Sequence, residues 1–137
     1  MNTNRFRYEG SWELLPELSI YQEGEAPRAG IYRITRDGVT ASFHIEWESA
    51  DGKRGEVRFA GRCDGRREKI PNPPGAEACY LHVDDSTFDS SVFIADVRVA
   101  YARRRVAADG SLMSIVQESR RPDGTTFRNF QVYKRLK

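Results

Sequence analysis

Long hydrophobic runs are missing from this sequence of 137 residues, and cysteine is scarce. No stretch approaches the about 20 apolar residues of a transmembrane helix, and the first residues contain no apolar segment typical of a secretory signal. We therefore expect a cytoplasmic protein that does not insert into a membrane. Cys63 and Cys79 should then stay reduced. The alternative, a disulfide between the two strands that carry them, stays open.

An excess of charge of one sign is also missing. The 22 basic residues nearly balance the 20 acidic ones, and the net charge of +2 is too small to indicate a protein that binds nucleic acid. Only four of the basic residues are lysines, which codon usage explains better than phosphate recognition. With 39% hydrophobic residues the chain can bury a core, so residues 1–137 are predicted to form one domain.

The sequence lacks the short motifs of common catalytic sites. It has no Gly-x-Ser-x-Gly, no glycine-rich phosphate loop and no His-Glu-x-x-His. His44 and Glu46 would lie on one side of a strand, and His82 is the only other histidine. Two distant histidines fall short of the usual number of metal ligands, and the cysteines have no close-spaced partner. We therefore predict no metal site and no cofactor.

What the sequence does contain is five Asp-Gly dipeptides. Tight hairpin turns require positive φ angles, which glycine adopts freely and aspartate tolerates better than most residues. Four of the five dipeptides lie between runs that resemble strands, which predicts a series of antiparallel hairpins. The dipeptides are Asp37-Gly38, Asp51-Gly52, Asp64-Gly65, Asp109-Gly110 and Asp123-Gly124.

The clearest strand is Val39 to Ser49, in which apolar and polar residues alternate with a period of two. Glu56 to Cys63 alternates in the same way, so these two runs should form a hairpin across Asp51-Gly52. The other predicted strands are Tyr8–Leu15, Gly30–Thr35, Glu77–Val83, Thr87–Ala95, Val97–Ala107, Leu112–Glu118 and Thr126–Arg135.

Two segments interrupt this rhythm. Pro16 to Pro27 is predicted to hold one short helical turn over Glu17–Tyr21, and the proline-rich Ile70 to Gly75 is predicted to be a loop. A meander of so many strands must protect its edges, and closure into a barrel does so. The predicted fold class is all-β, a single antiparallel up-and-down barrel of about eight to ten strands, whose interior either is filled or holds one small ligand.

Gly10-Ser11-Trp12 on the first predicted strand resembles the Gly-x-Trp motif of the lipocalins and related calycin barrels. The chain is similar to small bacterial lipocalin-like proteins over nearly its whole length. The resemblance implies that Trp12 plugs one end of the barrel and that Arg105 or Arg135 packs over its ring. The matching segments are Gly10-Ser11-Trp12-Glu13-Leu14, Gly30-Ile31-Tyr32, Pro71-Asn72-Pro73, Arg104-Arg105-Val106 and Val132-Tyr133-Lys134-Arg135.

Fatty-acid-binding proteins are more distant calycin relatives, and their last strand carries an Arg-x-Tyr that holds the ligand carboxylate. Here the triplet is Gln131-Val132-Tyr133, so that mechanism is not expected. The densest basic run is Arg103-Arg104-Arg105. We expect a solvated strand end; the alternative places one of these arginines in the cavity, opposite an acidic ligand.

The predicted function is non-covalent binding of a small, largely hydrophobic molecule inside the barrel. The predicted ligand-binding residues are Tyr32, Phe43, Trp47, Phe59, Tyr80, Tyr101, Gln131 and Tyr133, with Gln117 as a further polar candidate. The same aromatic residues would serve equally well to fill the barrel.

Two other functions stay open. One is an acid–base enzyme on the same barrel, with no catalytic residue assigned and with Tyr80, Tyr101, Tyr133, Glu118 and Arg103 as the groups to suspect. The other is a filled barrel that acts as an interaction or homodimerisation module through outward-facing Phe93 and Phe130.

Overall fold

The structure, a computed structural model, describes residues 6–136. Within them the chain forms eleven strand segments and one 3-10 turn at Pro16–Leu18, and no helix in this range is long and apolar enough to cross a membrane. The strands are β1 (Gly10–Leu14), β2 (Ile20–Tyr21), β3 (Ala29–Asp37), β4 (Thr40–Glu48), β5 (Arg54–Arg62), β6 (Asp64–Lys69), β7 (Ala76–Asp84), β8 (Thr87–Ile94), β9 (Val97–Val106), β10 (Leu112–Arg120) and β11 (Thr126–Leu136).

The strands form one antiparallel sheet in the order β5-β4-β3-β1-β11-β10-β9-β8-β7-β6, and β2 also pairs with β11. β5 and β6 are consecutive in the chain but stand at opposite ends of this order, so the sheet curls until its ends meet. Between residues 6 and 136 no strand pairing joins β5 to β6. Near their junction the His82 amide donates to the Cys63 carbonyl over 3.3 Å. The result is a nearly closed antiparallel barrel, as predicted.

The Asp-Gly turns after β9 and β10 form in the way that the sequence predicts. Gly110 and Gly124 have φ angles of +79° and +89°. Asp109 and Asp123 each accept a hydrogen bond of 2.9 Å from the backbone amide two residues later, which fixes the turn locally. Asp64-Gly65 differs, because it lies inside β6, where the register with β7 shifts.

Two of the strands are missing from the sequence-based prediction. β6 is exposed along its whole length, so it has no apolar alternation to reveal it. β2 is two residues long and lies where a helical turn over Glu17–Tyr21 is predicted; the turn itself comes earlier, at Pro16–Leu18. The loop at Ile70–Gly75 is confirmed.

Trp12 lies at one end of the core, as the resemblance implies. Its side chain is fully buried, and its indole N–H donates to the Tyr8 carbonyl over 3.0 Å. Arg135 is the arginine that packs over it, with Cζ 4.2 Å from the ring centroid, whereas Arg105 is exposed. Arg135 also donates to three backbone carbonyls, those of Gly110, Glu9 and Arg7.

Candidate ligand-binding site

The barrel interior contains a cavity of about 330 Å³. Its walls come from strands on both sides of the barrel, because side chains of one parity on each strand point inward. The volume lies at the lower end of the range for small-molecule sites, about 300–1,000 Å³. The cavity is lined by Leu14, Tyr21, Pro27, Gly30, Tyr32, Ile45, Glu46, Trp47, Val57, Phe59, Arg104, Ile115, Gln117, Gln131 and Tyr133.

A second cavity of about 280 Å³ lies towards β7, β8, β9 and β10. Its polar lining includes Tyr80, Ser90 and Glu118, and its apolar lining includes Ile70 and Val92. Three residues, Phe59, Arg104 and Gln117, line both cavities. Arg104 therefore stands at the boundary between them.

Arg104 is the most unusual residue of this interior. Its side chain is only 3% exposed, although it carries a permanent positive charge. Its Nε donates to the Tyr32 hydroxyl over 2.8 Å, and its Nη1 donates to Ser90 Oγ over 3.1 Å. The guanidinium also lies 5.0 Å from the ring centroid of Phe43 and 5.8 Å from that of Phe88, close enough for cation–π attraction.

No carboxylate of the described residues forms an ion pair with Arg104. The hydrogen bonds to Tyr32 and Ser90 use two of the five N–H groups of the guanidinium. Throughout residues 6–136, no fully buried side-chain nitrogen or oxygen lacks a hydrogen-bond partner. Arg104 Nη2 makes no hydrogen bond within the described residues, so this atom is not fully buried. A buried charge is costly unless a partner compensates it, so this site favours an anion.

The Tyr133 hydroxyl is a second polar group that faces the open interior. Tyr133 is buried beside Tyr32, edge to face at 5.5 Å between ring centroids. Burial raises the pKa of Tyr133, so its hydroxyl is protonated at neutral pH and can donate a hydrogen bond. The side chains of Tyr133 and Gln117 make no hydrogen bond within the described residues. Their polar atoms are therefore not fully buried.

Tyr21 and Gln131 join two strands at the edge of the first cavity. Gln131 Nε2 donates to the Tyr21 hydroxyl, which ties β2 to β11 through side chains as well as backbone. Burial raises the pKa of Tyr21. Ile20, beside Tyr21, is 70% exposed, so this short strand presents one side to the cavity and the other to solvent.

A stack of aromatic rings forms the opposite wall. Phe59 stacks on Phe43 at 4.7 Å between centroids and on Tyr80 at 6.1 Å. Gly61 permits this arrangement, because a Cβ there would lie 2.3 Å from the Tyr80 ring. Gly55 plays the same part for Trp47, whose indole would lie 2.4 Å from an added Cβ. Burial raises the pKa of Tyr80.

Most of the predicted ligand-binding residues lie at these cavities. The first cavity contains five of them, Tyr32, Trp47, Phe59, Gln131 and Tyr133, and Tyr80 lines the second. Phe43 lines neither cavity, since it is packed among other rings. Contact with a ligand stays a prediction for all of them.

Tyr101 has a different environment from the one predicted. It borders the second cavity, but its hydroxyl donates to Asp89 over 3.2 Å and Arg98 Cζ lies 4.4 Å from its ring centroid.

Val97 and Val99 suggested that the odd-numbered residues of β9 point inward, whereas the buried residues are even-numbered, Ala102, Arg104 and Val106. Tyr101 therefore belongs to the outer side of β9.

The same parity overturns the expectation for the arginine run. Arg105 is exposed, and Arg103 pairs with Asp89 on the outer side, as a solvated strand end would. Arg104 is buried, so the expectation is wrong for this residue. The available signal was that the residues of β9 nearest to Arg104 on the same parity are small or apolar, which indicates an inward face.

The groups suspected for acid–base catalysis are divided between the two faces. Glu118 lies on the opposite parity to Gln117 and accepts a hydrogen bond from Arg128 Nε over 2.9 Å. Arg103 is held by Asp89. Tyr80 and Tyr133 remain in the interior with Arg104. No carboxylate of the described residues forms an ion pair with Arg104 there.

Other candidate groups lie away from the cavities. Phe93 is half-buried beneath the Arg67 guanidinium, whose Cζ lies 3.8 Å from the Phe93 ring centroid, and Phe130 is also half-buried.

His82 Nδ1 lies 2.6 Å from the Tyr8 hydroxyl, so it does not join His44. Cys63 and Cys79 are free thiols, and Cys79 donates to the Gly65 carbonyl.

No protein-family model matches the sequence, and no curated protein sequence matches it. Solved structures do match the fold. The fluorescent protein UnaG superposes with a TM-score of 0.63 and 13% identity, over 95% of this chain and 98% of UnaG. A point mutant of UnaG gives 0.64 and 12%, over 96% and 97%. The chain therefore shares the antiparallel barrel fold of UnaG.

A third structure is similar over most of this chain. The siderocalin Ex-FABP, described as functioning through dual ligand specificities, has a TM-score of 0.48 and 13% identity over 95% of this chain and 74% of its own. At that score and identity the likeness carries no argument about function.

Proposed function

We propose that this protein binds a small molecule inside the barrel and that Arg104 holds an anionic group of that ligand. The observation that carries the proposal is a buried arginine without an ion-pair partner among the described residues, at the boundary of two cavities. A carboxylate placed there would accept charge-assisted hydrogen bonds from the guanidinium, which are stronger than neutral ones.

The surrounding groups favour one orientation of such a ligand. Tyr32 and Ser90 hold the guanidinium from two sides, so its remaining N–H groups are directed in advance. Preorganised donors lose little entropy when a ligand arrives. The Tyr133 hydroxyl and the Gln117 amide supply further polar contacts, and Ile45, Trp47, Val57 and Phe59 supply apolar surface.

This proposal changes the ligand chemistry that the sequence alone favours. The Gln131-Val132-Tyr133 triplet lacks an arginine, which argues against binding of a ligand carboxylate by β11. Arg104 supplies the positive charge from β9 instead. The ligand is therefore an amphiphile with an apolar body and one acidic group, rather than a purely hydrophobic molecule.

A matched set of ligands tests the proposal. Medium-chain fatty acids and aromatic carboxylic acids should raise the melting temperature, because a ligand that binds only the native state stabilises it by mass action. Their primary amides should bind at least about tenfold more weakly, since they lose the charge-assisted hydrogen bonds. Trp47 in the cavity wall provides a fluorescence signal for the same titrations.

The variant Arg104→Gln should remove the preference for acids over amides, and Arg105→Gln, on the exposed neighbouring residue, should keep it. An Arg104→Gln protein that still prefers acids by the wild-type factor would refute the role of Arg104. A wild-type protein that carries no small molecule in native mass spectrometry after purification, and that no acid or amide stabilises, would refute the binding function itself.

A further inference from the structure

We propose that the outer wall of the barrel carries a second, independent site: His44, Glu46 and Glu56 bind a divalent transition-metal ion of the Zn²⁺ class. One ligand atom from each residue, the imidazole nitrogen and two carboxylate oxygens, lies within 4.8 Å of the other two. The three residues have the outward parity of β4 and β5, and of the three only Glu46 also borders the internal cavity. The sequence analysis predicts no metal site because the two histidines lie far apart in the chain, and it does not consider Glu56 on the neighbouring strand.

The strand register explains how the three residues meet. β4 and β5 form a hairpin in which Glu46 lies directly opposite Glu56. His44 lies two residues from Glu46 on β4, so its side chain points to the same face. The distance between His44 Nε2 and Glu56 Oε2 is 2.5 Å. Two carboxylates directly opposite each other repel, which favours a cation between them.

The donor set indicates which cation fits. One imidazole nitrogen and two carboxylate oxygens match the ligands that Zn²⁺ takes in proteins, with a fourth position left for water. Ca²⁺ and Mg²⁺ prefer oxygen ligands throughout, so the imidazole selects against them. Glutamate side chains are ionised at neutral pH, as metal ligation requires.

Two arginines compete with the metal for these carboxylates. Arg33 Nη1 lies 2.6 Å from Glu46 Oε1, and Arg58 Nη2 lies 3.5 Å from Glu56 Oε2. The side chains of Arg33 and Arg58 are 45% and 71% exposed, so they can turn into solvent at little cost. A bound ion would replace these weak surface ion pairs with coordination bonds.

Metal at this position would hold β5 to β4. Among residues 6–136, β5 ends the sheet order and is paired along one edge only, towards β4. Glu46 precedes Trp47, which lines the internal cavity, so the ion would stabilise the part of the wall that carries this indole. Metal and internal ligand bind at separate places, and neither site requires the other.

Spectroscopy with Co²⁺ in place of Zn²⁺ tests the site directly. Wild-type protein, stripped with a chelator and freed of any affinity tag, should develop the visible absorption bands of a four- or five-coordinate Co²⁺ ion, and Zn²⁺ should displace them. The absence of a sulfur-to-cobalt charge-transfer band would show that Cys63 and Cys79 are not the ligands. Its presence would overturn the proposal.

Variants assign the ligands. His44→Ala and Glu56→Gln should each weaken Zn²⁺ binding in calorimetry by at least about tenfold, since each removes one of three protein ligands. Glu48→Gln, on the same face of β4 but outside the cluster, should bind Zn²⁺ as wild type does. Melting curves in excess chelator show whether each variant is folded. Equal Zn²⁺ affinity in wild type and His44→Ala, both folded, would show adventitious binding only and overturn the proposal.

Discussion

Arg104 Nε and the Tyr32 hydroxyl are joined by a hydrogen bond of 2.8 Å that crosses the interior of the barrel. Their strands, β9 and β3, are separated in the sheet by β1, β11 and β10. The bond therefore connects opposite walls and holds the guanidinium where two cavities meet. A cation in this position is useful for binding an anion and unfavourable for the empty protein, and these two effects can be measured separately.

The first prediction concerns the stability of the protein without ligand. Arg104→Met replaces a buried charge with an unbranched apolar side chain, so it should leave the free energy of unfolding unchanged or raise it by about 1–4 kcal/mol. The same variant should lose binding of carboxylic acids. Urea unfolding of ligand-free protein measures the first effect. Such a gain in stability with a loss of binding is the usual relation at functional sites.

The comparison for this prediction is Arg105→Met, which changes an exposed arginine next in the chain and should alter stability little. A loss of more than about 2 kcal/mol in Arg104→Met alone would show that the hydrogen bonds to Tyr32 and Ser90 outweigh the cost of burying the charge. Arg104 would then be a structural residue.

The second prediction concerns the opposite kind of arginine. Arg135 is half-buried, covers the Trp12 ring and donates to three backbone carbonyls. Arg135→Ala should lower the free energy of unfolding by about 2–4 kcal/mol, because it removes these bonds and uncovers the indole. Arg105→Ala serves as the matched control, with an expected change within about 0.5 kcal/mol. Equal losses in the two variants would show that Arg135 does not stabilise this end of the barrel.

The alternation of apolar and polar residues predicted the fold well, because every strand of a barrel has one inward and one outward face. Val39 to Ser49 showed the period of two clearly, and its hairpin partner followed from the Asp51-Gly52 turn. β6 escaped prediction because every residue in it is exposed, so nothing in its pattern distinguishes a strand from a charged loop.

The candidate site was harder to predict because it depends on which parity of a strand faces inward. In β9 two valines, Val97 and Val99, lie on the outer parity, whereas Arg104 lies on the inner one with Ala102 and Val106. A charged residue on the inner face contradicts the hydrophobic rule, and functional sites are where such contradictions are expected. The cluster of His44, Glu46 and Glu56 depends on the register between β4 and β5, which the prediction of a hairpin alone does not give.

The third prediction concerns the contact between Gly61 and Tyr80. A Cβ at residue 61 would lie 2.3 Å from the Tyr80 ring, and Gly61 does not have a positive φ angle, so the clash alone decides the effect of Gly61→Ala. We expect a loss of about 1–3 kcal/mol. In Tyr80→Ala the ring is gone, and the added methyl group should then cost much less.

A double-mutant cycle measures this relationship by urea unfolding of the two single variants and the double variant. Coupling of at least about 1 kcal/mol would show that residue 61 must be glycine in order to admit the Tyr80 ring. Additive effects would show instead that Gly61→Ala acts on the β5 backbone.

The fourth prediction concerns alkaline pH. Burial raises the pKa values of five of the six tyrosines, namely Tyr8, Tyr21, Tyr80, Tyr101 and Tyr133, above the ordinary value near 10. Above about pH 10 the unfolded chain releases phenolic protons that the native protein keeps, so the native state binds more protons and its stability falls as the pH rises. Below that pH this contribution is fully present.

Ultraviolet absorbance of tyrosinate distinguishes native from unfolded protein. At about pH 10.5 the native protein should show much less tyrosinate than the same protein in concentrated urea. Tyr133→Phe should make the alkaline decline in stability shallower, because it removes a group that titrates later in the native state than in the unfolded one. Between about pH 7 and pH 9 the two proteins should depend on pH alike, since their phenols are protonated in both states. Coincident tyrosinate curves for native and unfolded protein would show that these hydroxyls are solvated in the native protein, which would contradict the burial of Tyr133.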